Sequence, residues 1–494
     1  MSLPVIPSHE DPVVRGVSTA IGGPVGAHAR LGGRRGVGAV VAWLLLGTAL
    51  TFGLGYVQKL PCRNHQWTQD YQYTRLCYTD TWALYYAEGL NAGRVPYLEQ
   101  AVEYPVLIGG IMWVAAQAAY DAEGGDPKRY YDVTAVLLLL CALAATAGLV
   151  ASAGPRPWDA ALFAFAPALV LHGLTNWDLL AVACASLGVA CWAKRWPAMA
   201  GICFGLGISA KLYPVIFLVP LLALCWRAGR MREGLRTAIA TGAATLVVNV
   251  PVFLKSGNLL LDPAQKCQGL FQPKRAWWEF WNRNRCRVSD WDSLWYAAQD
   301  RIGAMRLFGK SPGFTFDPAL VNILSLLLFL LALAAIVALA IRAPRRPRLP
   351  QLLFLTVAAF LLVNKVWSPQ YVLWLVPLAA LARPRWRLFL AWQVAEFVLL
   401  FTRFYFFVHE GGRLAQPSAD RGLRPEWFLS AVVVRDLVLI ALMVAVVREI
   451  RRPDLDVVRR GGVDDPTGGV LDGAPDREGP EITGGSRRQT LIDA

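Results

Sequence analysis

The sequence predicts an all-α polytopic membrane protein with about twelve transmembrane helices and amphipathic helices in its outer loops. Three observations predict it. Of the 494 residues, 55% are hydrophobic and only 17% are charged, where soluble domains carry about 25% charged residues. Apolar runs close to the ~20 residues that span a bilayer recur along the chain. The 19 Trp suit a chain that meets the membrane interface many times. This composition excludes the string of roughly three soluble domains that length alone would suggest. It also excludes disorder or a disulfide-dense module as the whole answer. The net charge of +14 reads as topological and not as a nucleic-acid footprint.

Residues 1–36 read as a disordered cytoplasmic tail. Residues 448–494 read as another, since from about 453 they are rich in Gly, Asp, Arg and Pro without apolar periodicity. Between them, residues 37–447 form the membrane domain. Its apolar runs lie at 37–57, 105–121, 131–153, 158–173, 177–194, 197–209, 212–226, 237–254, 315–342, 349–364, 369–382, 388–408 and 428–447. The first run exceeds the ~7–15-residue core of a signal peptide, and no small-residue cleavage site follows it.

Arginine sets the sidedness. Clusters at Arg15/Arg30/Arg34/Arg35, Arg227/Arg230/Arg232/Arg236, Arg342/Arg345/Arg346/Arg348, Arg383/Arg385/Arg387 and Arg448/Arg451/Arg452 are expected inside. Both termini are then cytoplasmic, and the long loops 58–104 and 255–314 face outward, in a plasma-membrane protein. Six apolar runs separate the first outer loop from the Arg227 cluster, where an odd number must cross. Run 158–173, short and holding Pro167 and His172, is the one expected to break. Such a break survives only where protein or a cavity satisfies its backbone. Cysteine agrees with this topology. Cys141, Cys184, Cys191, Cys203 and Cys225 fall in apolar runs, where thiols act as small hydrophobes. The remainder pair off by outer loop, Cys62 with Cys77 and Cys267 with Cys286, as an oxidising compartment allows.

The first outer loop is aromatic beyond the need of a solvent loop, with Trp67, Tyr71, Tyr73, Tyr78, Trp82, Tyr85, Tyr86, Tyr97 and Tyr104. Residues 81–90 read as an amphipathic helix on the outer leaflet. Flat aromatic faces beside carboxylates and Arg suit a sugar. Asp80, just before that helix, has two compatible readings: N-cap and general base. Glu88, Glu99 and Glu103 are rivals for the second role. The other outer loop is basic and aromatic. Arg283, Arg285 and Arg287 suit a phosphate, and Trp277, Trp278 and Trp281 suit a lipid tail. A helix resting on anionic headgroups is the alternative.

Further polar sites stand at run ends: Asn176-Trp-Asp178, Lys211-Leu-Tyr-Pro214, and Asn364-Lys365-Val-Trp-Ser-Pro-Gln370-Tyr371. Lys211 and Lys365 either snorkel or serve a site, the default for ionisable groups in a membrane. Glu396 with Arg403, and Arg435 with Asp436, read as buried structural pairs. No phosphate-binding Gly-rich loop, His-Glu-x-x-His or Cys-x-x-Cys occurs, and the five His are scattered. The sequence therefore argues against an ATP-driven pump and a zinc protease, and no metal or cofactor is expected.

These features resemble the C-type integral-membrane glycosyltransferases, and within them family 87, which includes actinobacterial polyprenyl-phosphate-mannose-dependent phosphatidylinositol mannoside mannosyltransferases. The resemblance rests on Asp80 followed by Tyr85 and Tyr86, Gly93-x-x-Pro-Tyr97, Tyr104-Pro105 and Asn176/Asp178. It rests further on Gly205-x-Gly-x-x-x-Lys211-x-x-Pro214 and Lys365-x-x-Ser-Pro-Gln-Tyr371 followed by Leu-Trp-Leu-Val-Pro377, and it covers roughly residues 37–447. It implies a C-type fold and a sugar, mannose first, carried on a polyprenyl monophosphate and presented outside. It implies a cell-envelope lipid or glycan acceptor and Asp80 as base in an inverting displacement. Lys365, Arg285, Arg283, Lys211 and Arg403, in that order, would bind the phosphate. Tyr85, Tyr86, Glu88, Tyr97, Glu103, Tyr104, Asn176, Asp178, Gln370 and Tyr371 would bind sugar or acceptor. Arabinose on the same carrier is the competing donor sugar. A flippase of lipid-linked sugars is the competing class, but such transporters show internal repeats and none is visible here. A non-catalytic scaffold is the third reading, and it would tolerate Asp80→Asn.

Overall fold

The structure, a computed structural model, describes residues 10–23, 36–68, 70–121, 124–257, 275–310, 312–415, 421–460 and 464–476. Its helices in chain order are α1 (Pro12–Gly22), α2 (Gly36–Asn64), α3 (Tyr71–Thr74), α4 (Asp80–Ala87), α5 (Val106–Ala118), α6 (Pro127–Ala153), α7 (Ala161–Ala164), α8 (Pro167–His172), α9 (Asp178–Ala193) and α10 (Pro197–Ala210). There follow α11 (Leu218–Arg227), α12 (Met231–Lys255), α13 (Glu279–Cys286), α14 (Leu294–Ala304), α15 (Pro318–Arg342), α16 (Leu349–Val363), α17 (Val372–Ala382), α18 (Trp386–Ala415), α19 (Pro425–Arg451) and α20 (Val457–Arg460). Six of these, α2, α6, α12, α15, α18 and α19, are long and apolar enough to cross a membrane, and shorter apolar helices supply the remainder of the bundle. The chain is an all-α polytopic membrane protein, with one two-stranded ribbon, Tyr120–Asp121 against Gly124–Gly125, among its described residues.

The run 158–173 does break. A 3₁₀ turn over Pro157–Ala160 leads into α7, and α8 starts afresh at Pro167. Proline lacks the N–H that would continue a helix, and it drives the residue before it out of the helical region. Ala166 is extended accordingly (φ −67°, ψ 126°). The freed backbone is answered from a neighbouring helix: Ala168 N–H donates to Gln393 Oε1 at 2.9 Å.

Helices α10 and α12 meet through Gly201 and Gly205. A Cβ at Gly201 would stand 2.3 Å from Thr237 O, and one at Gly205 would stand 2.5 Å from Thr241 O. Small residues four apart let two backbones approach where lipid gives no hydrophobic drive. Thr245 Oγ1 then reaches Gly205 O at 3.4 Å.

Cys62 and Cys77 are bonded, 15 residues apart, around a cluster with Trp67 and Tyr131. Cys286 is also disulfide-bonded, while its expected partner Cys267 lies outside the described residues. Closing a loop of that length stabilises a fold by about 3 kcal/mol. Cys62→Ala/Cys77→Ala protein is expected to melt at lower temperature, and to lose the response to reductant that wild type keeps at that bond. Equal melting of the two would mean that the bridge is energetically idle.

The tails depart from expectation. Asp11 caps α1, and its Oδ2 accepts from Trp386 N at 2.9 Å. At the other terminus, Asp456 takes Arg348 (Nε–Oδ2 2.7 Å), and Asp476 takes Arg227 (Nε–Oδ1 2.6 Å). Arg346 Nη2 donates to Leu471 O at 2.6 Å, and Arg383 pairs with Glu449 at 3.0 Å. A Gly- and Asp-rich segment without apolar periodicity is thus ordered by arginines that the helices present. Residues 1–9, 24–35, 461–463 and 477–494 of the expected tails lie outside the described residues. The arginine clusters of α11, α15–α16 and α17–α18 gather at one end of the bundle. α16 runs from there, at Arg348, to Asn364 at the other end.

Candidate active site

At that other end a chamber of about 2200 Å³ opens, lined by the segment between α2 and α5, the loop before α9, α13, the turn after α16 and the C-terminal half of α18. Asp80 lines it. Thr79, not Asp80, is the N-cap of α4, with Oγ1 accepting from Thr81 N. The expected cap is therefore displaced by one residue, which leaves the Asp80 carboxylate for other partners. Thr79 Oγ1 donates to Leu174 O at 2.7 Å, and Asp80 N–H donates to Thr175 O at 2.8 Å, so the start of α4 is stitched to the segment before α9.

The carboxylate is held from both sides. Tyr78 OH donates to Oδ1 at 2.7 Å, and Asn176 Nδ2 donates to Oδ2 at 2.7 Å. Asn176 Nδ2 also donates to Tyr104 OH at 2.6 Å. The Asp80 charge, then burial, push the Tyr78 hydroxyl well above its ordinary value, so it stays a donor. A carboxylate offers about four lone-pair sites, and these bonds leave room for a further hydroxyl.

The cations predicted to take a phosphate share the chamber but are differently occupied. Lys365 Nζ donates to Arg287 O at 2.6 Å and to Arg285 O at 3.2 Å. Burial, with Arg287 nearby, pulls its ammonium down to about 8. Arg283 is bound by Glu279 at 2.6 Å and Glu103 at 2.7 Å. Arg285 is exposed, with Nη2 3.4 Å from Asn282 Oδ1. Lys211 does not snorkel: only 8% of its side chain is exposed, 3.6 Å from Asp178 Oδ2. Its Nζ lies 4.5 Å from the Tyr104 ring centroid and 5.7 Å from that of Tyr371. Arg403 pairs with Asp292 at 2.9 Å and not with Glu396, which accepts from Trp392 Nε1. Arg435 and Asp436 do pair, at 2.5 Å, and Arg435 also lies over Trp367.

Gln370, Tyr371, Tyr104, Glu103 and Trp281 line the chamber, while Asn176 and Asp178 support it from behind. Tyr85, Tyr86, Glu88 and Tyr97 are not among its lining residues. Tyr85 is buried against Tyr130, with ring centroids 4.4 Å apart. Tyr97 OH donates to Tyr104 O and Pro105 O, and Glu88 accepts from Glu103 N. These residues hold the loop's shape. Trp277 and Trp278 instead cluster with Phe253 beside the end of α12.

Sequence reasoning missed Lys59, His172, Asp290 and Phe404, all lining the chamber. Lys59 had a signal, as a charge near the end of the first apolar run. Among the described residues, no three His, Cys, Asp or Glu gather as for a metal ion. The chamber therefore combines a positioned carboxylate with several cations, the parts needed for proton removal and for stabilising a departing anion.

The family model of glycosyltransferase family 87 matches residues 128–365. No curated protein matches the chain. The matched stretch carries Asn176, Asp178, Lys211, Arg283, Arg285 and Lys365. It supports glycosyltransferase activity in a multi-pass membrane protein.

Proposed function

We propose that this chain has a C-type fold and transfers a sugar, mannose first, from a polyprenyl-monophosphate donor to a hydroxyl of a cell-envelope lipid or glycan. The chamber faces the outer side of the plasma membrane and the arginine end faces the cytoplasm. The observation that carries this reading is the Asp80 carboxylate, fixed by Tyr78 and Asn176 in a chamber that also receives Lys365, Arg285, Lys211 and Arg403.

The acceptor oxygen attacks the anomeric carbon while the bond from that carbon to the phosphate oxygen breaks, inverting the centre. The acceptor proton passes to Asp80, and the lipid phosphate leaves with the bonding electrons. Lys365 and Arg285 offset its growing charge. A monophosphate leaving group asks for less neutralisation than a diphosphate, and the chamber's lysine and arginine side chains do that work.

The test is sugar transfer in membranes given radiolabelled polyprenyl-phosphate-mannose, comparing wild type with Asp80→Asn at matched expression. Label in a new lipid or glycan from wild type alone supports the reading. Equal transfer by both removes Asp80 as base. If neither transfers, the arabinose donor is tried, and silence there too overturns the reading.

A pH dependence follows from Lys365. Its charged form attracts phosphate, and it is charged below about 8 and neutral above. Donor KM is expected to rise as pH climbs through that value. Lys365→Arg, whose guanidinium stays protonated, is expected to abolish the rise. A wild-type donor KM that is flat across this range would remove Lys365 from the phosphate site.

A further inference from the structure

No residue of α19 lines the chamber, yet this helix carries a fully buried charge pair, Arg435 with Asp436. Its neighbours Val433, Val434 and Leu437 are exposed apolar side chains, as a lipid-facing surface requires. An ionisable pair in such a helix is expensive and marks a function by default. Anchoring the helix would need only the contact between the two, but Arg435 reaches further. Its Nη2 donates to Asp292 O at 2.7 Å, and its guanidinium lies 3.5 Å from the ring centroid of buried Trp367. Both targets belong to the wall that carries the phosphate cations. Asp292 ends the segment whose Arg285 and Arg287 carbonyls take the Lys365 ammonium, and its Oδ2 accepts from Arg403 at 2.9 Å. Asp290 N–H donates to Lys365 O at 2.8 Å, and Asp290 Oδ2 accepts from Ser368 Oγ at 3.3 Å. Trp367 stands between Lys365 and Ser368 in the chain. Segments 285–292 and 365–368 are thus laced together, and Arg435 touches both from behind.

We propose that Arg435 is a positioning residue for the donor phosphate: from α19 it fixes segments 285–292 and 365–368 against each other and so aims Lys365 into the chamber. The role rests on the glycosyl-transfer reading above. Arg435 touches no substrate and acts through Asp292 and Trp367. The residue type fits the task. A planar guanidinium can lie flat on an indole and donate sideways at the same time, and a lysine ammonium has no such fork. Holding two loops in their bound shape before the ligand arrives removes an ordering cost from binding. The gain falls on the charged end of the donor, because Lys365 is what the two segments share.

The role is tested on phosphate binding, without turnover. Full-length protein in nanodiscs is titrated by ligand-observed NMR with citronellyl phosphate, a short prenyl monophosphate, and with citronellol as its uncharged control. The readout is the ratio of the two dissociation constants. Wild type is expected to prefer the phosphate by about tenfold or more, the scale of one charge-assisted contact. Lys365→Met is expected to lose most of that preference. Arg435→Lys keeps the charge but loses the fork and the stack, and it is expected to lower the preference roughly fivefold with citronellol binding unchanged. In the Lys365→Met background the same substitution is expected to add little, because it acts through Lys365. Asp436→Asn leaves Asp292 O and Trp367 to Arg435 and is expected to keep the preference. Thermal unfolding checks that each variant is folded. If Arg435→Lys is not, Arg435→Met with Asp436→Leu replaces it, since no stranded charge remains, and the same loss is expected. The role falls if the folded Arg435 variant keeps the wild-type preference, or if phosphate and alcohol binding weaken equally, as loosened packing would make them. It falls also if the losses from Arg435→Lys and Lys365→Met simply add. No phosphate preference in wild type overturns both this role and the donor reading. A wild type that prefers the phosphate but transfers neither labelled sugar defeats the proposed reaction alone, and the variants then still decide the role.

Discussion

Asp80→Asn is expected to lower sugar transfer by roughly 10²–10⁴-fold, the range a positioned general base supplies. The amide keeps the size of the carboxylate, and its oxygen can still accept from Tyr78 OH or from Asn176 Nδ2. What it cannot do is take a proton. Donor binding should survive, so the loss should fall on kcat with donor KM near wild type. Tyr78→Phe and Asn176→Ala each remove one bond that aims the carboxylate but leave the carboxylate itself, and about a tenfold loss is expected for each. Transfer rates and donor KM for the three variants, measured side by side, separate the roles. If the orienting variants lost as much as Asp80→Asn, the segment would be acting through the fold and not through its proton.

The second large effect is on stability, at the arginine end. Arg348 is buried, paired with Asp456 through Nε and Nη2, and donates to Leu381 O and Ala382 O at 2.7 Å each. Removing one member of such a pair strands the other charge away from water and costs about 3–5 kcal/mol. Arg348→Ala is therefore expected to lower the melting temperature sharply in detergent, and Asp456→Ala nearly as much. Replacing both, Arg348→Met with Asp456→Leu, is expected to recover part of the loss, because no uncompensated charge remains. A melting curve for Arg348→Ala that overlays wild type would mean that water reaches this pair.

The membrane class and the positions of the helices were legible because burial in lipid demands long apolar runs, and such runs are hard to hide in a sequence. The break in 158–173 was legible from the odd number of crossings that the arginines demand and from the run's short length; proline alone would not have marked it, since Pro61, Pro251 and Pro377 lie inside helices. The ordered C-terminal segment was not legible. Its residues are polar without period, and what fixes them is the set of arginines in distant loops, so nothing local announces Asp456 or Asp476. Of the polar residues singled out at run ends, Asp80, Lys211 and Lys365 all line the chamber. Tyr85 and Tyr97, expected as binding surface, are buried in packing away from the chamber lining, and periodicity cannot say which tyrosine faces a cavity. His172, inside the segment singled out as broken, lines the chamber, and nothing in the local pattern set it apart from a core histidine.

The clasp formed by residues 456–460 and 464–476 is made after every membrane-crossing helix whose end it holds. When α19 has entered the membrane, Arg227 and Arg348 still stand without the carboxylates of Asp476 and Asp456. Insertion of the spans and completion of the fold are therefore separate events in the life of the chain. A chain ending at α19 would hold its membrane spans and leave the arginine end without the carboxylates of Asp456 and Asp476.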